Sequence, residues 1–315
     1  MFLDTKKITI LIPSYNEEES IPLLYVELKK VIDTLSQYIW EILFVNDGSK
    51  DKTLEVIKEL RTKDERVNYI DLSRNFGKEN AMLAGFDYAT GDCMIIMDAD
   101  LQHPPHIITD MLAKWEEGFD DVYAKRLTRG KESWLRKKMS LLFYKILQRS
   151  TRIEMLPNVG DFRLLDRKCI NALKQLRESE RYTKGMFCWI GFKKTFVEFQ
   201  QKERVAGTSS WNFLNLLGLG VEGIVSFSTS PLRISTILGL IVSMMAIMYM
   251  ICIIIKAIFF GETVAGYPTI LSCILFLGGI QLLCLGIIGE YIARIFNESK
   301  NRPIYMVREY NGLFK

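Results

Sequence analysis

Histidine is almost missing from this 315-residue chain: His103 and His106 are the only two. A His-rich transition-metal site is therefore not expected, which leaves a hard cation with oxygen ligands as the expectation. No CxxC pair occurs among the six cysteines. Cys93, Cys169 and Cys188 are scattered, and Cys252, Cys273 and Cys284 fall in apolar stretches, so neither a disulfide framework nor a zinc site is expected. The N-terminus lacks an apolar run of signal-peptide length, because Ile8–Ile12 stops at Pro13. Charge, in turn, is missing from two long stretches. The 22 residues between Arg233 and Lys256 carry none, and neither do the 27 between Glu262 and Glu290. A bilayer core takes roughly 20 apolar residues as a helix. A core helix of a soluble protein would account for one such run, whereas two joined by a short turn predict a transmembrane hairpin.

The flanks of the hairpin set its expected orientation. Arg233 precedes the first run, and Arg294, Lys300, Arg302 and Arg308 follow the second, while the turn 256–268 holds one Lys and one Glu. Excess Lys and Arg marks the cytoplasmic side, so both chain ends are expected there. The net charge of +4 conceals a concentration. Residues 125–152 hold ten Lys/Arg against Glu132 alone, a local +9 that leaves −5 for the rest. Arg136, Lys137 and Lys138 lie among Trp134, Leu135, Leu142, Phe143 and Tyr144. Such a mixture suits nucleic acid, a solvated helix face or a lipid surface. In a chain tied to a bilayer we expect anionic headgroups or a lipid phosphate, and no nucleic acid.

The first 120 residues alternate. A short apolar strand over 7–13 precedes an amphipathic helix over 18–36, with Ile21, Leu24, Leu28, Val31 and Leu35 at helical spacing. Strand 40–46 leads to helix 52–63, strand 67–72 to helix 78–90, and strand 93–97 to helix 105–118. This order predicts an α/β fold with a doubly wound, mostly parallel sheet, whose ligands bind at the carboxyl ends of the strands. Polar clusters stand at those ends: Ser14–Glu17, Asn46–Ser49, Ser73–Asn75 and Asp98–Asp100. Beyond 125 the alternation fades into an expected basic helix (132–150), a loop around Pro157–Asp161 and mixed structure to about 200. Residues 205–232 carry only Glu222 as charge but are too polar to span, so helices lying in the membrane interface are expected. The expected division is a catalytic domain over 1–204, interfacial helices over 205–232, two membrane helices over 233–292 and a cytoplasmic tail over 293–315. The Gly218–Gly223 stretch fits GxGxxG, but no strand precedes it, so it is not read as a dinucleotide site.

Asp98-Ala99-Asp100 closes the fourth strand and is followed by Leu101-Gln102-His103-Pro104-Pro105. Two carboxylates spaced i, i+2 at a strand end can share a hard cation, Mg2+ or Mn2+, with the oxygens of a diphosphate. Here the chain resembles the family 2 glycosyltransferases of the GT-A fold, and among them the polyprenyl-phosphate transferases that include bactoprenol glucosyltransferases and dolichol-phosphate mannose synthases. The resemblance rests on Ile12-Pro13-Ser14-Tyr15-Asn16-Glu17-Glu18, Val45-Asn46-Asp47-Gly48-Ser49 with Asp51, Asp98 to Pro104, and Gly160-Asp161-Phe162-Arg163-Leu164. Pro231-Leu232-Arg233 and Gly289 to Arg294 extend it over nearly the whole chain.

The resemblance implies that Pro13, Tyr15, Glu17 and Asp47 surround the base and ribose of a nucleotide sugar. Asp98 would lie near ribose and diphosphate, with Asp100 and Gln102 holding the metal and Asp98 beside them. Lys78 and Ala99 are placed with the nucleotide-sugar contacts. Arg126 and Arg136 suit phosphate through the planar guanidinium fork, with Lys137 beside them on the lipid-phosphate side. Arg204, Gly207 and Ser209 match a loop that closes near the phosphates. Similar proteins usually read Gly-Glu-Ser-Lys there. This chain reads Gly207-Thr208-Ser209-Ser210, leaving Lys202 or Arg204 to replace the missing lysine.

Asp161, Asp100 and Arg163 are the expected catalytic residues. For Asp161 two roles stand open: accepting the residual proton of a phosphate monoester, or holding a cation that grips it. Inverting transfer of a hexose to polyprenyl phosphate follows, with UDP-glucose the first choice and UDP-N-acetylglucosamine, UDP-galactose or GDP-mannose behind it. A processive polysaccharide synthase is disfavoured because Gln-x-x-Arg-Trp is missing and two spans are too few for a channel. Similar proteins form tetramers through their membrane regions, and Gly278-Gly279 would allow close helix packing.

Overall fold

The computed structural model describes residues 5–127, 159–179, 181–200, scattered positions between 232 and 259, and 266–312. The chain divides into two units. One takes in residues 1–148, 152–216 and 302–315, and the other is essentially 217–301.

The first unit is built on one eight-stranded sheet. β1 (Lys7–Ser14), β2 (Ile39–Asn46), β3 (Val67–Leu72) and β4 (Cys93–Ile96) alternate with α1 (Ser20–Thr34), α2 (Thr53–Lys63), α3 (Lys78–Tyr88) and α4 (Ile107–Glu116). β5 (Asp121–Arg126), β6 (Val159–Asp166), α5 (Arg167–Gln175), α6 (Thr183–Trp189), β7 (Lys194–Phe199) and β8 (Val307–Tyr310) complete it. The strands lie in the order β7-β5-β6-β4-β1-β2-β3-β8. β4, β1, β2 and β3 are mutually parallel, whereas β6 runs against β4 and β5, and β8 against β3. The fold is thus the expected GT-A-like α/β arrangement, with its parallel half lying where the alternation is regular.

The parallel strands form because both faces are apolar. Ile8, Ile10 and Ile12 are fully buried on the side that also receives Ile21, Leu24, Leu28 and Ile32 of α1. On α1 the fully buried stripe continues through Ile32, and Val31 and Leu35 pack beside it only partly covered. α3 can lie close over β1 because Gly85 stands against Leu11, where a Cβ would fall 2.2 Å from Leu11 Cδ1. β1 has β4 on one side and β2 on the other, so chain order reverses at β1. Loops after β1, β2 and β4 therefore open toward a common crevice.

Three expectations change. Asp161 was expected in a loop around Pro157–Asp161, but it lies on β6, the strand between β4 and β5, within the irregular step that separates the Val159–Lys125 and Arg163–Tyr123 pairs. The stretch 293–315, expected as a tail, begins with the end of a helix, α7 (Tyr267–Ser299), and then forms β8, which pairs with β3 through Ile70–Tyr310, Asp71–Glu309 and Leu72–Val307. β3 would otherwise be a sheet edge, and its unpaired backbone groups are what β8 covers. The fourth strand also ends earlier than 97, at Ile96, so Asp98 and Asp100 sit in a turn rather than on one strand face.

In the second unit, α7 (Tyr267–Ser299) contains a 24-residue segment, Phe276–Ser299, that is long and apolar enough to cross a membrane. Its 33 residues span about 50 Å at 1.5 Å per residue, beyond a hydrocarbon core of roughly 30 Å. Ile270, Ile274, Leu282, Leu285 and Ile292 are exposed along it. The described positions between 232 and 259 are helical as well, and Ile237, Leu240, Met244 and Met248 are exposed there. The basic helix expected at 132–150 and the interfacial helices at 205–232 lie outside the described residues.

Candidate active site

The crevice is assembled from strand ends. After β2, Asp47 is almost fully buried, and its two carboxylate oxygens accept the backbone N–H groups of Phe76 (2.7 Å) and Gly77 (2.9 Å). Burial outweighs these two donors and holds the Asp47 carboxyl above its usual range. The loop that supplies the amides packs backbone to backbone on Gly48. There φ is +63°, and a Cβ would come within 2.4 Å of the Arg74 carbonyl carbon, so only glycine serves. One layer back, Asn46 Nδ2 donates to Asp71 Oδ1 at 2.7 Å, and Asn46 Oδ1 accepts from Ser49 N. Pro13 lies opposite Val45 one residue before the end of β1, and Tyr15 stands 40 % exposed just after the strand. Glu17 N donates to Thr53 Oγ1 at 2.7 Å, which ties the β1 loop to the start of α2.

On the other side of the crevice stand three carboxylates and one ammonium. Lys78, the first residue of α3, places Nζ 2.5 Å from Asp98 Oδ1 and 2.8 Å from Asp161 Oδ2. Burial would lower the Lys78 pKa, but the Asp98 and Asp161 charges outweigh it and keep the amine protonated. Burial likewise pushes both carboxyls up, and Lys78 more than offsets this, so Asp98 and Asp161 stay below the usual carboxylate range. The other oxygen of Asp161, Oδ1, is buried without a hydrogen-bond partner.

Asp98 is braced from behind. Its N–H donates to His103 Nδ1 at 3.3 Å, and the His103 ring stacks on Phe162 at 4.8 Å between centroids. Burial holds His103 neutral, consistent with an acceptor nitrogen. Asp100 Oδ1 accepts from Gln102 N at 3.2 Å, closing the turn in which Leu101 adopts φ +60°. Ala99 is buried between the two acids. Arg126 ends β5 with its guanidinium against Gly160, and its Nε is buried without a partner.

Residues 9–173 match the family described as Glycosyl transferase family 2, and residues 230–295 match the GtrB C-terminal hairpin. The chain belongs to glycosyl transferase family 2. It is similar along its length to other proteins of that kind. Identity is 45 % to the uncharacterized glycosyltransferase sll0501 of Synechocystis sp., over 98 % of this chain and 97 % of that one. It is 43 % to the prophage bactoprenol glucosyl transferase homolog of Escherichia coli, over 96 % and 98 %, and 43 % to the bactoprenol glucosyl transferase of Shigella phage SfX, over 96 % and 99 %.

In this family 2 glycosyltransferase, then, the structure brings Asp47, Lys78, Asp98, Asp100, Asp161 and Arg126 to the strand ends. Lys78, expected among the nucleotide-sugar contacts, is engaged by two carboxylates. Arg163, expected among the catalytic residues, has a side chain 2 % exposed that pairs with the fully buried Asp121 at 3.0 Å and lies over the Phe187 ring at 3.8 Å. Arg136, Lys137, Arg204 and Ser209 lie outside the described residues. The Phe76 and Gly77 amides and the His103 brace were missed by sequence reasoning. The positive φ of Gly77, +93°, belongs to the Asn75-Phe76-Gly77 turn, and that turn was the available signal.

Proposed function

We propose that this enzyme transfers glucose from UDP-glucose to polyprenyl (undecaprenyl) phosphate with inversion at the anomeric carbon, supplying a lipid-linked sugar for cell-envelope glycans. The observation that carries the reading is the full-length likeness to proteins named bactoprenol glucosyl transferase, hairpin included. The site chemistry supports it. Pro13, Tyr15, Glu17 and the Asp47 loop would surround the base and ribose, with the acids after β4 toward the diphosphate.

Asp98, Asp100 and Gln102 would hold Mg2+ or Mn2+. Among the described residues no three His, Cys, Asp or Glu side chains form a metal cage. That fits a hard cation which takes one or two carboxylates and completes its shell with substrate phosphates. The Lys78 ammonium on Asp98 Oδ1 already marks this point as one that attracts positive charge. When bound, the metal supplies neutralisation of the charge that gathers on the departing nucleoside diphosphate. Arg126 and the basic 125–152 segment would meet phosphate.

The nucleophile is an acceptor phosphate oxygen, largely ionised at neutral pH because its second pKa is about 6. Positioning and charge screening therefore matter more than a strong base. In this reading an anionic acceptor approaches the donor near Lys78 and Asp161. Lys78 reduces the repulsion that the Asp98 and Asp161 carboxylates would otherwise exert. The catalytic unit sits on the cytoplasmic face, carried by a two-span hairpin that also forms a homotetramer.

Detergent-purified protein given undecaprenyl phosphate, Mg2+ or Mn2+, and one labelled donor at a time tests the reading. Label from UDP-glucose should enter the lipid fraction. Label entering from UDP-N-acetylglucosamine, UDP-galactose or GDP-mannose instead would replace the sugar. Transfer only to a non-lipid acceptor would overturn the assignment.

A further inference from the structure

The strand that follows the long apolar helix pairs with β3, and one of its side chains, Arg308, reaches toward the loops of the crevice. Arg308 on β8 directs Nη1 to Asp71 Oδ2 at 3.3 Å and Nη2 to the Ser73 carbonyl at 2.7 Å. Asp71 is 1 % exposed, and its other oxygen takes the Asn46 amide. Asn46 immediately precedes Asp47, and its Oδ1 closes the Asp47–Ser49 turn through Ser49 N. Ser73 opens the loop whose far end, Phe76 and Gly77, hydrogen-bonds Asp47, and its own N–H donates to Met306 just before β8. One guanidinium thus holds the loop after β3 directly, at Ser73, and reaches the loop after β2 through Asp71 and Asn46; the two loops meet at Gly48, where backbone lies against backbone with no room for a Cβ.

We infer that Arg308 is a positioning residue for nucleotide binding: it fixes the loops after β2 and β3 in the spacing that accepts the base and ribose. The inference rests on the proposed nucleotide-sugar reading of this crevice and assigns a role there to the C-terminal strand. Two features make the dependence specific to Arg308. Asp71 is a buried carboxylate, and Arg308 is the cation paired with it among the described residues, so losing Arg308 leaves that charge uncompensated beneath the pocket. The other ion pair of β8, Lys58 with Glu309 at 2.6 Å, is exposed and touches neither loop. α3, which carries Lys78, is anchored separately by fully buried Ala81, Met82 and Phe86, so the acceptor side should not move.

The test is calorimetric titration of UDP, and of GDP, into the full-length protein in detergent, together with steady-state rates. Arg308→Gln should raise the nucleotide Kd and the donor KM on the order of tenfold, as loss of a charge-assisted contact implies. The kcat at saturating donor and the KM for polyprenyl phosphate should stay near wild type. Arg308→Lys should recover part of the affinity, and Lys58→Ala should leave it unchanged. If Arg308→Gln does not fold, Asp71→Asn keeps the side-chain shape, removes the charge that Arg308 meets and should raise the Kd in the same direction. An unchanged Kd in Arg308→Gln, or in Asp71→Asn where that variant stands in, overturns the inference. So does an equal rise in Lys58→Ala, which would reduce the effect to strand stability. Wild-type protein that binds neither nucleotide would remove the nucleotide reading itself, and this inference with it.

Discussion

Asp161 has two carboxylate oxygens in unlike settings, one on Lys78 and one buried without a partner. Ion-paired and held below the usual carboxylate range, it is a poor acceptor for the proton of a phosphate whose pKa is about 6. Of the two roles open from sequence, the geometry therefore favours holding Lys78 in place over proton abstraction. Asp161→Asn should lower kcat about a hundredfold through misplacement, with a loss that stays flat between pH 6 and 9. Recovery at high pH would restore the base role. Asp100 leads to a different expectation. Asp100→Ala should abolish turnover, and chelator should silence the wild type until Mg2+ or Mn2+ returns. Full activity in excess chelator removes the metal from the reading. Arg163 shows what sequence could not supply. Its place in Gly160-Asp161-Phe162-Arg163 suggested chemistry, but the partner that buries it, Asp121, lies 42 residues away in a different strand. Arg163→Ala should cost about 3–5 kcal/mol by stranding Asp121, so any activity lost should follow loss of fold.

Elements differed in how far they could be read. Strands β1 to β4 and helices α1 to α4 were legible because apolar runs and helical stripes recur with short polar loops between them. β6 and β8 were not. β6 carries Asp161 and Arg163 into the sheet interior against local polarity, and β8 is a four-residue strand whose only reason to form is the edge of β3, 235 or more residues away along the chain. The β1–β2 pair leads to a stability prediction. Glu41 is buried on β2 and accepts from Thr9 Oγ1 (2.6 Å), Thr90 N (3.1 Å) and Thr90 Oγ1 (2.9 Å). Burial pushes its carboxyl up, but these donors and Lys7 outweigh burial and hold it below its ordinary 4.5. A depressed folded pKa means the contribution is complete above the unfolded value and lost as pH falls through the folded one. Glu41→Gln should lower Tm by roughly 5 °C at pH 7, and the gap to wild type should narrow below about pH 4.5. A gap that widens on acidification contradicts the assignment. For the basic 125–152 segment, replacing Arg136, Lys137 and Lys138 with Gln should raise KM for polyprenyl phosphate more than for the sugar nucleotide. Selective loss of donor affinity would move these residues to the diphosphate side.

At the scale of the whole molecule, the sequence places a charge-free stretch on each side of a short turn, and the chain returns to the catalytic sheet after the second. Because β8 pairs with β3, the residues after α7 must lie on the same side of the membrane as the strands before the hairpin. A polypeptide that leaves a sheet, crosses a bilayer and rejoins the same sheet must cross an even number of times. One spanning helix alone would separate β8 from β3 by the hydrocarbon core, about 30 Å thick. The 22-residue run after Arg233 is the segment available for the other crossing, and the Lys/Arg at the outer ends of the hairpin are the basis for proposing that both ends are cytoplasmic. A reporter fused after Lys315 should therefore behave as cytoplasmic, and one inserted between Gly261 and Gly266 as external. Both reporters on one side would leave no crossing and sink the hairpin. An external Lys315 with a cytoplasmic turn would invert the topology and put the active site out of reach of a cytoplasmic nucleotide sugar.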